Sequence, residues 1–159
     1  MFQIGDKVVH PLHGAGVIED IVERTIDGAP AQYYALKLAL DDTQIFIPTD
    51  ACDKLGVRPV CSREQASALL RQLDSVTRGE SKGWNQRYRG NMLHIRSGNL
   101  LEVAQVIKDL SAREHERGLS TGEKKMLASA RHILESELAF ALGQTPQAIA
   151  EIIEQKLCR

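Results

Sequence analysis

A change in hydrophobic period near residue 60 constrains this chain more than any other feature. Before it, large apolar side chains recur at every second residue. Tyr34, Leu36, Leu38 and Leu40 alternate with Tyr33, Ala35, Lys37 and Ala39, which places the two sets on opposite faces of a strand. From Ser62 onward the recurrence becomes helical. Leu100, Val103, Ala104, Ile107 and Leu110 form one stripe. Met126, Leu127, Ala130, Ile133, Leu134 and Leu138 form a second, and Ile149, Ile152, Ile153 and Leu157 a third. Each stripe is one face of a helix that must bury against something.

The punctuation agrees with the periods. Asp27-Gly28-Ala29-Pro30 and Asp41-Asp42 are turn residues that bracket the Tyr34 strand. Residues 14–26 are rich in Val and Ile but alternate imperfectly, which predicts a long strand with a bend or bulge. Pro48, after Ile45 and Ile47, suits an edge or a strand terminus. Ser62-Arg63-Glu64-Gln65 reads as a capping box, and Ser120-Thr121-Gly122-Glu123 as a second. Thr145-Pro146 is a cap followed by proline at the first helical position. Helices are predicted at about 62–73, 84–96, 99–117, 120–142 and 145–158. The expected fold is therefore α+β: a small antiparallel β-barrel of Tudor or SH3-like size in residues 1–58, then a compact bundle of about five helices in 59–159. A length of 159 residues with 43% hydrophobic content is enough for two small cores.

Several function classes find little support. No run of 18 apolar residues is present, and the first residues lack the cationic and apolar regions of a signal peptide. Cys52, Cys61 and Cys158 are scattered and odd in number, as expected in a reducing cytoplasm. His10 and His13 form an HxxH without a third ligand at a matching spacing, so no metal is expected. His94, His115 and His132 are lone helical histidines. Gly14-Ala15-Gly16 is too short to cradle a phosphate, and neither a Walker loop nor a nucleophile elbow appears. No catalytic residues and no cofactor are assigned, and the chain is read as a non-enzyme.

Charge is more informative in its distribution than in its sum. The net charge is −1, but residues 1–61 hold nine acids and five bases, and the remainder 12 acids and 15 bases. The two halves thus suggest partners of different character. Two surfaces stand out. Phe46 lies between Ile45 and Ile47 and so points to the other face of its strand, where it either meets a partner or packs within a two-sided core. Arg24, on the preceding long strand, could join it. The second surface is "KGWNQRYRGN", residues 82–91, which places the only tryptophan at a helix start among Lys82, Arg87 and Arg89. Tyr88, Met92 and Ile95 continue the Trp84 stripe. Either Trp84 heads a core stripe or, as a first-turn residue, it projects past the helix end as an apolar wedge flanked by phosphate-binding cations. Lys124 and Lys125, after the capped Ser120, offer a further phosphate contact.

Four segments together carry a resemblance: "FQIGDKVVHPLHGAGVIEDI", "YYALKL", "WNQRYRGNMLHIRSGN" and "AREHERGLSTGEKKMLASARHILESELA". In order and spacing they resemble the CarD/CdnL transcription regulators of bacteria over nearly the whole chain. The resemblance implies a Tudor-like N-terminal domain, similar to the polymerase-interacting module of the transcription-repair coupling factor, that binds the RNA polymerase β subunit through an edge strand. It implies a helical domain that contacts promoter DNA at the upstream edge of the bubble and stabilises the open complex. Carried over by position, Trp84 is the minor-groove wedge, and Arg87 and Arg89, with Lys82 and Lys125, are the DNA-facing cations. Arg24 matches a polymerase-facing basic position, whereas Phe46 stands where some members have Arg, and Gln86 where some have a basic residue. The resemblance further implies a compact, cytoplasmic, nucleoid-associated protein. The alternative at this point is a polymerase- or protein-binding adaptor in which Trp84 is core and DNA is not touched.

Overall fold

The computed structural model describes residues 1–79 and 83–158. Its N-terminal part is a five-stranded antiparallel sheet: β1 (Lys7–His10), β2 (Gly14–Ile26), β3 (Ala29–Leu38), β4 (Gln44–Pro48) and β5 (Arg58–Pro59), in the order β4-β3-β2-β1-β5. The β2–β3 hairpin turns on Asp27 and Gly28, at φ of 53° and 80°, between the paired Ile26 and Ala29. Two consecutive positive φ values match the right-handed twist of the strands, which is why Asp-Gly suits a two-residue connection. The predicted slip in β2 is a register break between Ile18 and Asp20. Before the break Ile18 faces the sheet core, and after it Ile21 takes up the inward role. Val8, Ile18, Tyr34, Leu36, Leu38 and Ile47 fill this core, joined by Cys52 and Val57. The sheet does not close on itself by β4–β5 pairing, so the small module leaves β4 as a free edge among the described residues.

A single helical turn, α1 (Cys52–Leu55), links β4 to β5; the periodicity did not predict it, because one turn carries no period. The helical part comprises α2 (Arg63–Gln72), α3 (Trp84–Arg96), α4 (Leu100–Arg117), α5 (Thr121–Leu142) and α6 (Pro146–Leu157). A short 3₁₀ turn, Leu73–Ser75, extends α2. The Ser62 capping box is complete: the hydroxyl accepts Gln65 N–H and the Gln65 side chain accepts Ser62 N–H. Thr145 caps α6 through Ala148 N–H, with Pro146 opening the helix. At α5 the second box is only half made. Ser120 accepts Glu123 N–H at 3.2 Å, but the Glu123 carboxylate takes an arginine and, at 3.4 Å, the Ser120 hydroxyl rather than the cap's backbone N–H.

The predicted stripes form one core: Val103, Ala104, Ile107 and Leu110 of α4 meet Met126, Ala130, Ile133, Leu134 and Leu138 of α5, with Ile149, Ile153 and Leu157 of α6. Val9 and Ala15 of the sheet belong to this same cluster. The junction between sheet and helices is therefore continuous packing, and polar contacts reinforce it. Ala15 N–H donates to Ser136 Oγ at 2.8 Å. Glu137, fully buried on α5, accepts both terminal nitrogens of Arg58 at 2.7 and 2.6 Å and Cys61 N–H at 2.9 Å. Gly14 sits so close to α5 that a Cβ there would lie 2.6 Å from His132 Cδ2. Among the described residues, no helix is long and apolar enough to cross a membrane.

Candidate polymerase and nucleic-acid interfaces

The first candidate surface is the outer face of the sheet beside its β4 edge. Ile45 and Ile47 turn inward, and Phe46 between them is 43% exposed. Directly across from Phe46 on β3 is Ala35, whose methyl group leaves the ring uncovered. Arg24, paired with Ala31 on β2, reaches across β3 until its guanidinium carbon lies 4.8 Å from the Phe46 ring centroid. Two residues singled out separately in the sequence thus form one cation–π unit. At an exposed site such a contact contributes on the order of 0.5–1 kcal/mol. Its greater consequence is order, because it holds a cation and an aromatic ring together next to unpaired strand hydrogen-bonding groups.

The second surface is built on the first turn of α3. Gly83 is the N-cap and has no side chain to cap with, and no acid lies in the first turn. The first N–H groups of the helix thus keep their partial positive charge, with no carboxylate nearby on the same turn to compete for it. Burial deepens along the stripe. Trp84 is 49% exposed, Tyr88 and Met92 are half-buried, and Ile95 is buried. The indole stacks on the Tyr88 ring with centroids 5.2 Å apart and planes 18° from parallel. Tyr88 in turn packs over Gly122, where a Cβ would lie 3.6 Å from the tyrosine Cε2. The Trp84–Tyr88 stack is therefore braced from below by the start of α5, where Lys124 and Lys125 are exposed. Trp84 heads the stripe without being enclosed by it.

The cations around the indole do not all behave alike. Arg89 is exposed. Arg87, named by the resemblance among the DNA-facing cations, is mostly buried in the free chain. Its side chain is only 14% exposed, and its Nε donates to Glu123 Oε2 at 2.9 Å. Glu123 is itself buried on α5. Its charged form is opposed first by burial, but hydrogen bonds from Arg87 and the charges of Arg87 and Arg113 outweigh that and hold its carboxyl below the usual range. Arg87 thus ties α3 to α5 and fixes the angle at which Trp84 is presented. The sequence signal for this was Glu123 itself, a first-turn acid of α5 that leads directly into the apolar stripe begun by Met126. Lys82 lies outside the described residues. Leu93, 71% exposed on the far side of α3 from the Trp84 stripe, is an apolar surface residue the sequence reading did not single out.

The turn histidines form a structural unit. The His10 and His13 rings are 4.7 Å apart, and buried His10 accepts Leu12 N–H at Nδ1, 3.0 Å away. Burial, and to a lesser degree the charge of His13, pulls the His10 pKa from 6.5 down to about 4. Burial also pushes the Cys61 thiol up to about 12, with the Glu137 carboxylate adding to it, so the thiol is protonated at neutral pH.

Comparison with known proteins finds two family matches in this chain. Residues 2–61 match the family described as the CarD-like/TRCF RID domain, and residues 68–154 the family described as CarD, C-terminal domain. The YdeB protein of Bacillus subtilis (strain 168), named as a transcription factor, is 38% identical over 152 residues, covering 94% of this chain and 97% of YdeB. Transcription-repair-coupling factors of Mycobacterium bovis and Mycobacterium tuberculosis are 35% identical over 72 residues, covering 37% of this chain and 6% of each factor.

Proposed function

Because the chain belongs to the CarD-like family of transcription factors, we propose that it ties itself to the RNA polymerase β subunit through the sheet and stabilises the open promoter complex through the helices. The β4 edge offers unpaired backbone groups for strand addition, and the Arg24–Phe46 unit supplies the side-chain contacts beside it. With Phe46 in place of a second cation, the backbone of the edge strand and the ring face carry more of this contact. On the helical side, Trp84 enters the minor groove at the upstream edge of the bubble. Arg89, Lys125 and the open first turn of α3 meet phosphates, with Lys82 completing the set. Arg87 acts by bracing α3 against Glu123.

The observation that carries this reading is the half-exposed indole at an uncapped helix start, stacked on Tyr88. A tryptophan at the end of a braced helix can meet an unstacked base step that a closed duplex does not offer. Only a ligand that distinguishes the two DNA states can move their equilibrium. A difference of about 1.4 kcal/mol changes the open-to-closed ratio about tenfold. Tethering to polymerase raises the effective concentration of the helical domain at the promoter, so a chain of net charge −1 needs little free affinity for DNA. The test is Trp84→Ala in a promoter-opening assay with purified polymerase. The expected result is a fall in open-complex population of about tenfold, with folding and polymerase binding kept. Full promoter opening by the variant would sink the wedge. Loss of folding would return Trp84 to the core and favour an adaptor that does not touch DNA.

A further inference from the structure

The chain approaches α3 along α4. Past the 3₁₀ turn, Val76 packs against the helical core, and Thr77, Arg78 and Gly79 are then held by three α4 side chains. The Gln105 side-chain amide donates to the Thr77 carbonyl at 2.7 Å, and Asp109 Oδ1 accepts Gly79 N–H at 2.8 Å. The same amide donates to Asp109 Oδ1 at 2.9 Å, so donor and acceptor are locked to each other. Arg78, between the two held backbone groups, pairs with Glu116. Asp109 follows Gln105 by four residues and Glu116 follows Asp109 by seven, which puts all three on one face of the helix. A Cβ on Gly79 would lie 3.3 Å from Asp109 Oδ2, so the backbone approaches the carboxylate to a distance that suits glycine.

These contacts matter because the first turn of α3 is lightly anchored. Trp84, Asn85 and Gln86 are exposed, and Gly83 offers no side-chain cap. Downstream, the Arg87–Glu123 bond and the Tyr88 contact over Gly122 hold the helix. Upstream, the sequence distance from the last held residue sets the reach of the chain. Gly83 lies seven residues beyond Val76, a span of up to about 25 Å. It lies four residues beyond Gly79, a span of up to about 14 Å. Holding Gly79 therefore cuts the reach to little more than half.

We propose that Gln105, Asp109 and Glu116 form a positioning clamp that fixes the entry of the chain into α3 and so the pose of Trp84. The clamp acts as half of a β-ladder built from side chains. It supplies a donor for one carbonyl and an acceptor for an N–H two residues on, as a neighbouring strand would. Its effect on DNA passes through the indole. The inference rests on the wedge reading for its consequence at promoters, but not for its effect on the indole of the free chain.

Trp84 is the only tryptophan, so its fluorescence reports its own pose. The test measures Trp84 anisotropy and acrylamide quenching in the free full chain, and promoter opening with purified polymerase, for the parent, Asp109→Ala, Gln105→Met and Asp109→Asn. Asp109→Ala and Gln105→Met each remove one arm of the clamp. Each should lower the anisotropy, raise the quenching and reduce the open-complex population about two- to tenfold, the net worth of one hydrogen bond. Cooperative unfolding and capture of the β subunit should persist. Asp109→Asn keeps an acceptor oxygen for Gly79 N–H and should behave as the parent throughout. Unchanged Trp84 signals in Asp109→Ala and Gln105→Met overturn the clamp. So does an Asp109→Asn variant that behaves as Asp109→Ala, because the charge and not the hydrogen bond would then matter. Loss of cooperative unfolding in both truncated variants overturns it too, by making these residues supports of the whole fold. Trp84→Ala separates this inference from the reading it rests on. If promoter opening survives that change, the wedge falls while the fluorescence contrast still decides the clamp. If opening falls with Trp84→Ala but not with clamp variants that shift the Trp84 signals, the pose of the indole has no consequence at promoters and the clamp loses its role.

Discussion

Arg58→Met tests whether sheet and helices form one mechanical unit. Glu137 on α5 is fully buried, and its carboxylate accepts three hydrogen bonds: two from the Arg58 guanidinium and one from Cys61 N–H. All three donors come from β5 and the residues that follow it directly. Methionine keeps much of the Arg58 stem but removes both charge-assisted bonds, leaving a buried carboxylate with a single backbone donor. Truncating one member of a buried pair typically costs about 3–5 kcal/mol, because the remaining charge is uncompensated. The Arg58 side chain is 26% exposed, and water reaching Glu137 from that side lowers the expectation to about 2–4 kcal/mol. Urea unfolding followed by far-UV circular dichroism reads this as a lower midpoint. Since Val9 and Ala15 share the helical core, the parent should unfold in one transition, and the variant should show the sheet separating before the helices. The double variant Arg58→Met/Glu137→Leu removes the stranded charge and should recover most of the loss, giving a coupling energy of about 2 kcal/mol in a double-mutant cycle. A cost below about 1 kcal/mol for Arg58→Met, with a single unchanged transition, would refute the reasoning and make the pair a surface-like contact.

Two further outcomes follow from the geometry. His10 has a folded-state pKa of about 4 against 6.5 for the free side chain, so the unfolded chain binds more protons between those values. Its contribution is fully present above pH 6.5 and lost as pH falls towards 4. His10→Asn should therefore flatten the acid limb of the unfolding free energy over that window by about 2–3 kcal/mol, and parallel pH profiles of variant and parent would contradict this. Arg24→Glu and Phe46→Asp should each leave the midpoint of unfolding within about 1 kcal/mol of the parent while weakening capture of the isolated β subunit. Undiminished capture by both would remove the sheet face from the proposed interface.

Local chemistry was legible in the sequence, and chemistry between distant elements was not. The Ser62 and Thr145 caps act within four residues, so their helices begin where they were expected. The uneven alternation of β2 exposed its register break, because a slip of one residue exchanges the two faces of a strand. Pairing across elements left weaker traces. Arg24 and Phe46 meet across β3, where Arg24 pairs with Ala31 and Phe46 with Ala35, a fact of register rather than of spacing. Val9 and Ala15 have strand periodicity yet complete the helical core.

Arg87 is the most instructive case. Position i+3 from Trp84 placed it beside the indole on a helical wheel, and its charge suggested phosphate. Thirty-six residues away, Glu123 had been read as the partner of its own cap. Given a choice between a solvated cap N–H and a guanidinium in a buried setting, the carboxylate gains more from the guanidinium, whose charge offsets the cost of its desolvation. Ser120 retains its own half of the cap, and its hydroxyl also donates to the same carboxylate at 3.4 Å. An acid that a local rule assigns to a helix start but that sits among apolar neighbours should therefore be matched first to a distant arginine. Here that match gives Arg87, which the resemblance names only as a DNA-facing cation, a structural bond between α3 and α5.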